Sequence, residues 1–312
     1  MNFLDFSEAC GHYFCKTYTY KPCIERYKFL SRLPNSQKLN TLVLIGTNSS
    51  LFYDESAKEL QIQDLTIVQQ LKYGVRVLDI GLRLLPNMLD THSDSRLASG
   101  YFFDLLIATN DFLDLNPGEL IIMLVRHIEI EPPKKDVTRS GCKILDFYIR
   151  HVEGGSRLVK NWRLNDTIGQ HRGRILIGRL DYLFKGCVVD LSDKCKPATS
   201  TQLVDRQHDS SIDRKWNLIS KIILDSFLNK HECLINDLSY YDGKNTRRAI
   251  AKDAGLYHHF SCDRPINDLV ANEFLCPNEG LNIVVSDYMT QELGDKVNDC
   301  NFLNSSWRIG WE

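Results

Sequence analysis

Apolar residues along this chain fall into short unbroken runs that alternate with stretches of helical periodicity. Leu42-Val43-Leu44-Ile45 is a strand-like run that stops at Gly46. Val75 to Ile80, Leu120 to Val125, Arg174 to Ile177, Leu234 to Leu238 and Ile283 to Val285 repeat the pattern. Continuous apolar character of this kind suits parallel strands buried on both faces. Between the runs, Asp64 is placed to N-cap a helix reaching Tyr73, with Leu65, Val68 and Leu71 on one face. Phe102 to Leu113 reads as an amphipathic helix stopped by Asn116-Pro117-Gly118, and Arg139 to His151, Ile212 to Leu228 and Thr246 to Ala254 read as further helices.

Strands alternating with helices predict an α/β fold with parallel strands. Periodicity alone leaves open a closed barrel or an open doubly wound sheet, but the chain has no GxGxxG and no P-loop, which disfavours a nucleotide-binding sheet. Residues 1–36 carry aromatics and three cysteines without clear periodicity. They are expected to form an N-terminal arm on a single domain spanning 37–312.

The 312 residues carry a formal net charge of −2, which gives no global reason to expect nucleic acid and leaves any anionic partner to a local site. The first residues show neither a basic nor an apolar leader segment, and no apolar run is long enough to span a bilayer. None of the ten cysteines forms a CxxC pair, so zinc has little support. Without a leader, reduced thiols and a cytoplasmic location are expected.

Chemistry in such folds gathers where the strands end. Those ends supply Thr47-Asn48-Ser49-Ser50, Asp79 with Arg83, His92, Arg126-His127, Arg179, Asp205, Asn236 and Asp287-Tyr288. Alternation puts positions 79, 81 and 83 on one strand face, so Asp79 and Arg83 are expected to point into one mouth. Guanidinium groups hold phosphoryl oxygens and imidazole moves a proton, a combination that suits a phosphodiester. Each residue also has a plainer role: Asn48 to Ser50 as a turn, His92 as a loop histidine, Arg126 as an ion-pair partner and Asp287 as a helix cap.

The order of the motifs says more. Leu44-Ile45-Gly46-Thr47-Asn48-Ser49-Ser50 resembles the I-P-G-T-H-[DN]-S opening of the X domain of phosphatidylinositol-specific phospholipase C. Thr66 to Leu71 followed by Gly74-Val75-Arg76-Val77-Leu78-Asp79-Ile80 resembles its second block, in which a Q-L stretch leads to G-[VI]-R-x-x-D-[IL]-R. His92 falls where that family carries an H-G pair. Phe112-Leu113, Asn116-Pro117, Glu119 and Ile121 to Met123 resemble the next helix, turn and strand. Gly173 to Leu176 and Ile283 to Tyr288 resemble two later strands. The resemblance runs from about residue 37 to 300 and is nearer the short bacterial-type enzymes than the large calcium-dependent ones.

It implies a (β/α)8, TIM-like parallel barrel, irregular or incomplete, acting on phosphoinositides or related phosphodiesters at a membrane surface. It implies a general base at position 48, a general acid at His92 and a carboxylate at Asp79. Arg83, Arg126, Asp205, Asp287 and Tyr288 are implied to bind substrate. The departures lie where the chemistry would be. Asn48 replaces the base histidine, and a neutral amide is not basic. Ser49 replaces its acidic or amide neighbour, Gly81 replaces the arginine of the second block, and Ser93 replaces a glycine. An arginine at 126 beside a single carboxylate makes a poor calcium site, so neither metal nor cofactor is expected. Three functions remain open: a phosphodiesterase of reduced or lost activity, a non-catalytic inositol-phosphate or lipid-headgroup binder, and a scaffold.

Overall fold

The computed structural model describes residues 26–53, 61–85, 88–93, 96–97, 100–128, 139–196, 212–241, 245–253, 256–258, 261–263 and 265–303. The strands are β1 (Val43–Thr47), β2 (Val77–Leu85), β3 (Met88–Ser93), β4 (Arg96–Leu97), β5 (Ile121–His127), β6 (Leu158–Val159), β7 (Ile175–Arg179), β8 (Val189–Asp190), β9 (Cys195–Lys196), β10 (Cys233–Asp237), β11 (Leu256–His258), β12 (Ser261–Asp263) and β13 (Leu281–Ser286). The helices are α1 (Ile67–Lys72), α2 (Phe102–Leu115), α3 (Gly141–His151), α4 (Ile168–His171), α5 (Ile212–Leu228), α6 (Arg247–Ala251), α7 (Ile266–Glu273) and α8 (Gln291–Leu303).

The main sheet runs β6-β7-β5-β2-β1-β13-β10-β9, and every neighbouring pair along that path is parallel. Among the described residues no pairing joins β6 to β9, so the sheet curls into an incomplete barrel. β2 overruns the barrel and turns back antiparallel into β3, which pairs β4.

Alternation along the parallel strands sorts their apolar residues into two cores. Leu44, Val77, Ile122, Leu124, Leu176, Ile235, Ile283 and Val285 fill the interior with Trp162 and Leu191. Val43, Ile45, Leu78, Ile80, Ile121, Met123, Val125, Ile175 and Ile177 face the helices. The run does not stop at Gly46 as expected. Gly46 lies inside β1, where an added Cβ would come within 2.9 Å of Val77 Cβ on the adjoining strand.

Phe29, Leu30 and Leu33 are buried in the interior core, and Arg26 is tied to Asp295 by two 2.5 Å bonds. Beside them Arg76 is fully buried. It pairs with Glu119 at 2.8 Å and donates to the carbonyls of Leu71, Val75, Arg26 and Tyr27, which satisfies a charge that burial would otherwise penalise heavily.

Two further expectations are corrected. The first helix is capped by Thr66, not Asp64: the Thr66 hydroxyl accepts from Gln69 N–H and the Gln69 side chain accepts from Thr66 N–H. This reciprocal box satisfies two end donors at once, and Asp64 pairs with Lys252 instead, at 2.6 Å. The thiols are not reduced. Every cysteine whose side chain is described is bridged, as Cys142–Cys187, Cys195–Cys233 and Cys276–Cys300. Parallel pairing sets Cys195 directly opposite Cys233, a closeness that sequence separation hides. Cys10, Cys15, Cys23 and the Cys262 side chain lie outside the description.

Candidate functional site

The interior columns of the barrel change character at the strands' C-terminal ends. On β2 the column passes from Val77 to Asp79 and Gly81, on β5 from Ile122 and Leu124 to Arg126, and on β10 from Ile235 to Asp237. Just past β13 it runs from Val285 to Asp287, and just past β1 from Leu44 and Gly46 to Asn48. One parity thus lines the barrel with apolar groups and then closes it with charges.

The turn after β1 is held from several sides. Ser49 adopts φ 44°, an uncommon conformation for a residue with a side chain. Its N–H donates to Asp79 Oδ2 at 3.0 Å, and Ser50 N–H donates to the Asp79 carbonyl at 3.0 Å. Gln63, buried, donates to the carbonyls of Asn48 and Ser286 at 2.8 and 2.9 Å. Gln70 of α1 donates to the Ser50 carbonyl and accepts from the Thr47 hydroxyl.

Asn48 is 5% exposed and both ends of its amide are engaged. Its Nδ2 donates to Asp287 Oδ1 at 2.8 Å, and its Oδ1 accepts from Arg126 Nη2 at 3.0 Å. The same Nη2 reaches Asp79 Oδ2 at 2.7 Å and Ser49 Oγ at 3.2 Å. Asp287 Oδ2 meets Arg247 Nη1 at 3.4 Å. A chain of alternating partners therefore crosses the mouth: Asp79, Arg126, Asn48, Asp287, Arg247.

Burial dominates the electrostatics. It raises the Asp287 carboxyl to about 6, against the opposing pull of Arg247 and the Asn48 amide. It also raises Asp79, although Arg126 and the Ser49 N–H favour its charged form. Lys215 of α5 is 1% exposed and donates to the Asp237 carbonyl at 2.6 Å. Burial depresses its ammonium, with Asp237 and Asp287 acting in the opposite direction.

Of the residues expected from sequence, Asn48, Asp79, Arg126 and Asp287 meet here. Arg83 shares their strand face but lies on the stretch of β2 that has left the barrel, in register with Asp90 of β3. Among the described residues it makes no bond to Asp79, Asn48 or Asp287. His92 is one residue past Thr91, which pairs with Leu82; its backbone therefore sits at the mouth end of β2, while its side chain is outside the description. Asp205 is likewise outside the described residues. Tyr288 is turned away: its hydroxyl donates to the Gln61 carbonyl and its ring lies under Arg248, so it braces the 61–64 segment. His127 alternates away from Arg126 and bonds Tyr182.

Three mouth residues escaped the sequence reading. Asp237 follows Cys233 and Ile235 on the interior parity, a signal that was present. Lys215 is spaced four and eight residues before the buried Ile219 and Ile223, so it occupies an apolar-face position of α5. Nothing local marked Arg247.

Neither a protein-family model nor a curated protein matches this chain. Solved structures do. The phosphatidylinositol-specific phospholipase C from Listeria monocytogenes superposes with a TM-score of 0.65 at 17% identity, covering 89% of this chain and 99% of that one. The enzyme of the same name from Staphylococcus aureus, in a structure concerned with its membrane binding, gives 0.66 at 18% identity, covering 87% and 97%. A double mutant of the Staphylococcus aureus enzyme gives 0.65 at 17%. At such identities the likeness establishes the fold: an incomplete parallel α/β barrel of the architecture seen in bacterial phosphatidylinositol-specific phospholipases C.

Proposed function

We propose that this protein binds phosphorylated inositol headgroups of phosphoinositide lipids at the barrel mouth, in a site of phosphodiesterase type whose cleavage chemistry is weakened. The observation that carries the reading is Asn48. At the position where the resemblance implies a basic imidazole stands an amide fixed between Asp287 and Arg126, with no proton affinity of its own at neutral pH. Arg126, with a third of its side chain exposed, supplies a cation at the same point, which favours a phosphate ligand. Its ion pair with Asp79 also disfavours a metal there, since an incoming cation would meet the guanidinium.

In this reading His92 is the proton donor to the leaving oxygen, Asp79 and Asp287 set the positions of Arg126 and Asn48, and phosphodiester cleavage is slow because the attacking hydroxyl keeps its proton into the transition state. Contact with a lipid surface is supported by exposed Tyr101, Tyr182 and Tyr241 on connections, together with Met88 at the start of β3 and Phe103 in the first turn of α2; aromatic rings settle at the bilayer interface. Among the described residues no helix is long and apolar enough to cross a membrane. The three disulfides support an oxidising compartment over the cytoplasm.

Flotation with phosphatidylinositol vesicles tests the binding half. The wild type should float with these vesicles and not with phosphatidylcholine vesicles, and Arg126→Ala should remain behind. Equal flotation of both proteins sinks the proposal.

A further inference from the structure

We propose that Arg247 is a second anion-binding residue of this mouth, held here against Asp287 and transferred to a phosphate oxygen of the bound headgroup. The inference rests on the headgroup-binding reading above and extends it to the far end of the Asn48 amide from Arg126.

The mouth brings together three carboxylates, Asp79, Asp237 and Asp287, and three cations, Arg126, Lys215 and Arg247. An incoming phosphate needs a cation with donors to spare. Lys215 is enclosed at 1% exposure with its ammonium on the Asp237 carbonyl. Arg126, the first anion-binding residue of the mouth, shares its Nη2 among Asp79, Asn48 and Ser49, so a phosphate beside it calls for a second cation. β2 contributes no cation at the mouth, because Gly81 stands there.

Arg247 differs from these. Its link to Asp287 is one contact of 3.4 Å, at the long limit for a hydrogen bond. A quarter of its side chain is exposed. Its guanidinium lies 5.5 Å over the ring of Tyr241, itself half exposed. Stacking of this kind fixes the plane of a guanidinium while leaving its edge donors available. The arginines that serve the fold are held otherwise: Arg26 by two 2.5 Å bonds to one carboxylate, and Arg76 by Glu119 and four carbonyls. Asp287 would keep its 2.8 Å bond from Asn48 when Arg247 departs, so the exchange strips no buried carboxylate of all its partners.

Calorimetric titration of inositol 1-phosphate into wild type, Arg126→Ala, Arg247→Gln and Arg247→Lys, with thermal melts of each, tests this. Loss of one charge-assisted contact should weaken binding by Arg247→Gln about tenfold or more, with Tm little changed. Arg247→Lys should lose less. Two results would overturn the inference: Arg247→Gln binding like wild type, or Arg247→Gln losing binding only with a matching fall in Tm. Binding that vanishes in Arg126→Ala but is unmoved in Arg247→Gln overturns the inference and leaves the headgroup reading standing. No binding by wild type overturns both.

Discussion

Gly81 lies directly in register with Arg126 on the neighbouring strand. The Arg126 guanidinium reaches back to Asp79 Oδ2, two residues before Gly81 on the neighbouring strand, at 2.7 Å. At this register the mouth takes its cation from β5, while β2 presents Gly81.

That pairing is testable by unfolding. Arg126→Ala takes the guanidinium from Asp79, 5% exposed, and leaves the bond from the Ser49 N–H. Breaking one side of a buried pair costs roughly 3–5 kcal/mol; because Arg126 is a third exposed, solvent reduces this to about 1–3 kcal/mol. Asp79→Asn made in the Arg126→Ala background should cost less than in wild type. Additive losses in urea titrations would show that the two residues are not coupled.

Asp287 makes stability depend on pH with a defined sign. Its carboxyl is raised in the fold to about 6 from an ordinary 3.8, so between those values the native state holds the proton more strongly than the unfolded chain. Stability therefore falls as pH rises through that window, by up to roughly 3 kcal/mol once the group is fully ionised. Asp287→Asn should remove this decline. Urea unfolding of both proteins from pH 4 to 7 checks it, and parallel profiles for the two would contradict the assignment.

The bridges Cys142–Cys187, Cys195–Cys233 and Cys276–Cys300 should appear in peptide maps of protein digested without reductant. Each should contribute about 2–4 kcal/mol, so reduction should lower Tm by many degrees. Free thiols at these six positions in the purified protein would refute the pairing and return the cytoplasm to consideration.

Much of the barrel was legible because its strands are buried on both faces and read as unbroken apolar runs; α5 even begins and ends where periodicity put it. The boundaries moved where local chemistry competes, as at Thr66, whose reciprocal bonds with Gln69 outdo Asp64 as a cap. Asn48, Asp79, Arg126 and Asp287 could be found because they sit on or just beyond strands with a readable parity. Arg83 misled because its parity is right but its strand has already left the barrel. Lys215 was hidden inside an otherwise apolar helix face, and Arg247 reaches the mouth from a helix whose position depends on the whole fold. Disulfide partners such as Cys195 and Cys233 are brought together by strand order, which spacing does not encode.

On the proposed function, Asn48 is what withholds catalysis from an otherwise retained phosphate site. Its most direct test is the release of inositol cyclic phosphate from phosphatidylinositol vesicles by wild type, Asn48→His and Asn48→His/His92→Ala. A histidine at 48 keeps a donor for Asp287 and gains a basic nitrogen. General-base assistance is worth roughly 10²–10⁴ in rate, so even imperfect placement should raise turnover about tenfold over a near-background wild type, and the added His92→Ala should abolish the gain. Rapid cleavage by the wild-type chain, unchanged or lowered by Asn48→His, would contradict the account.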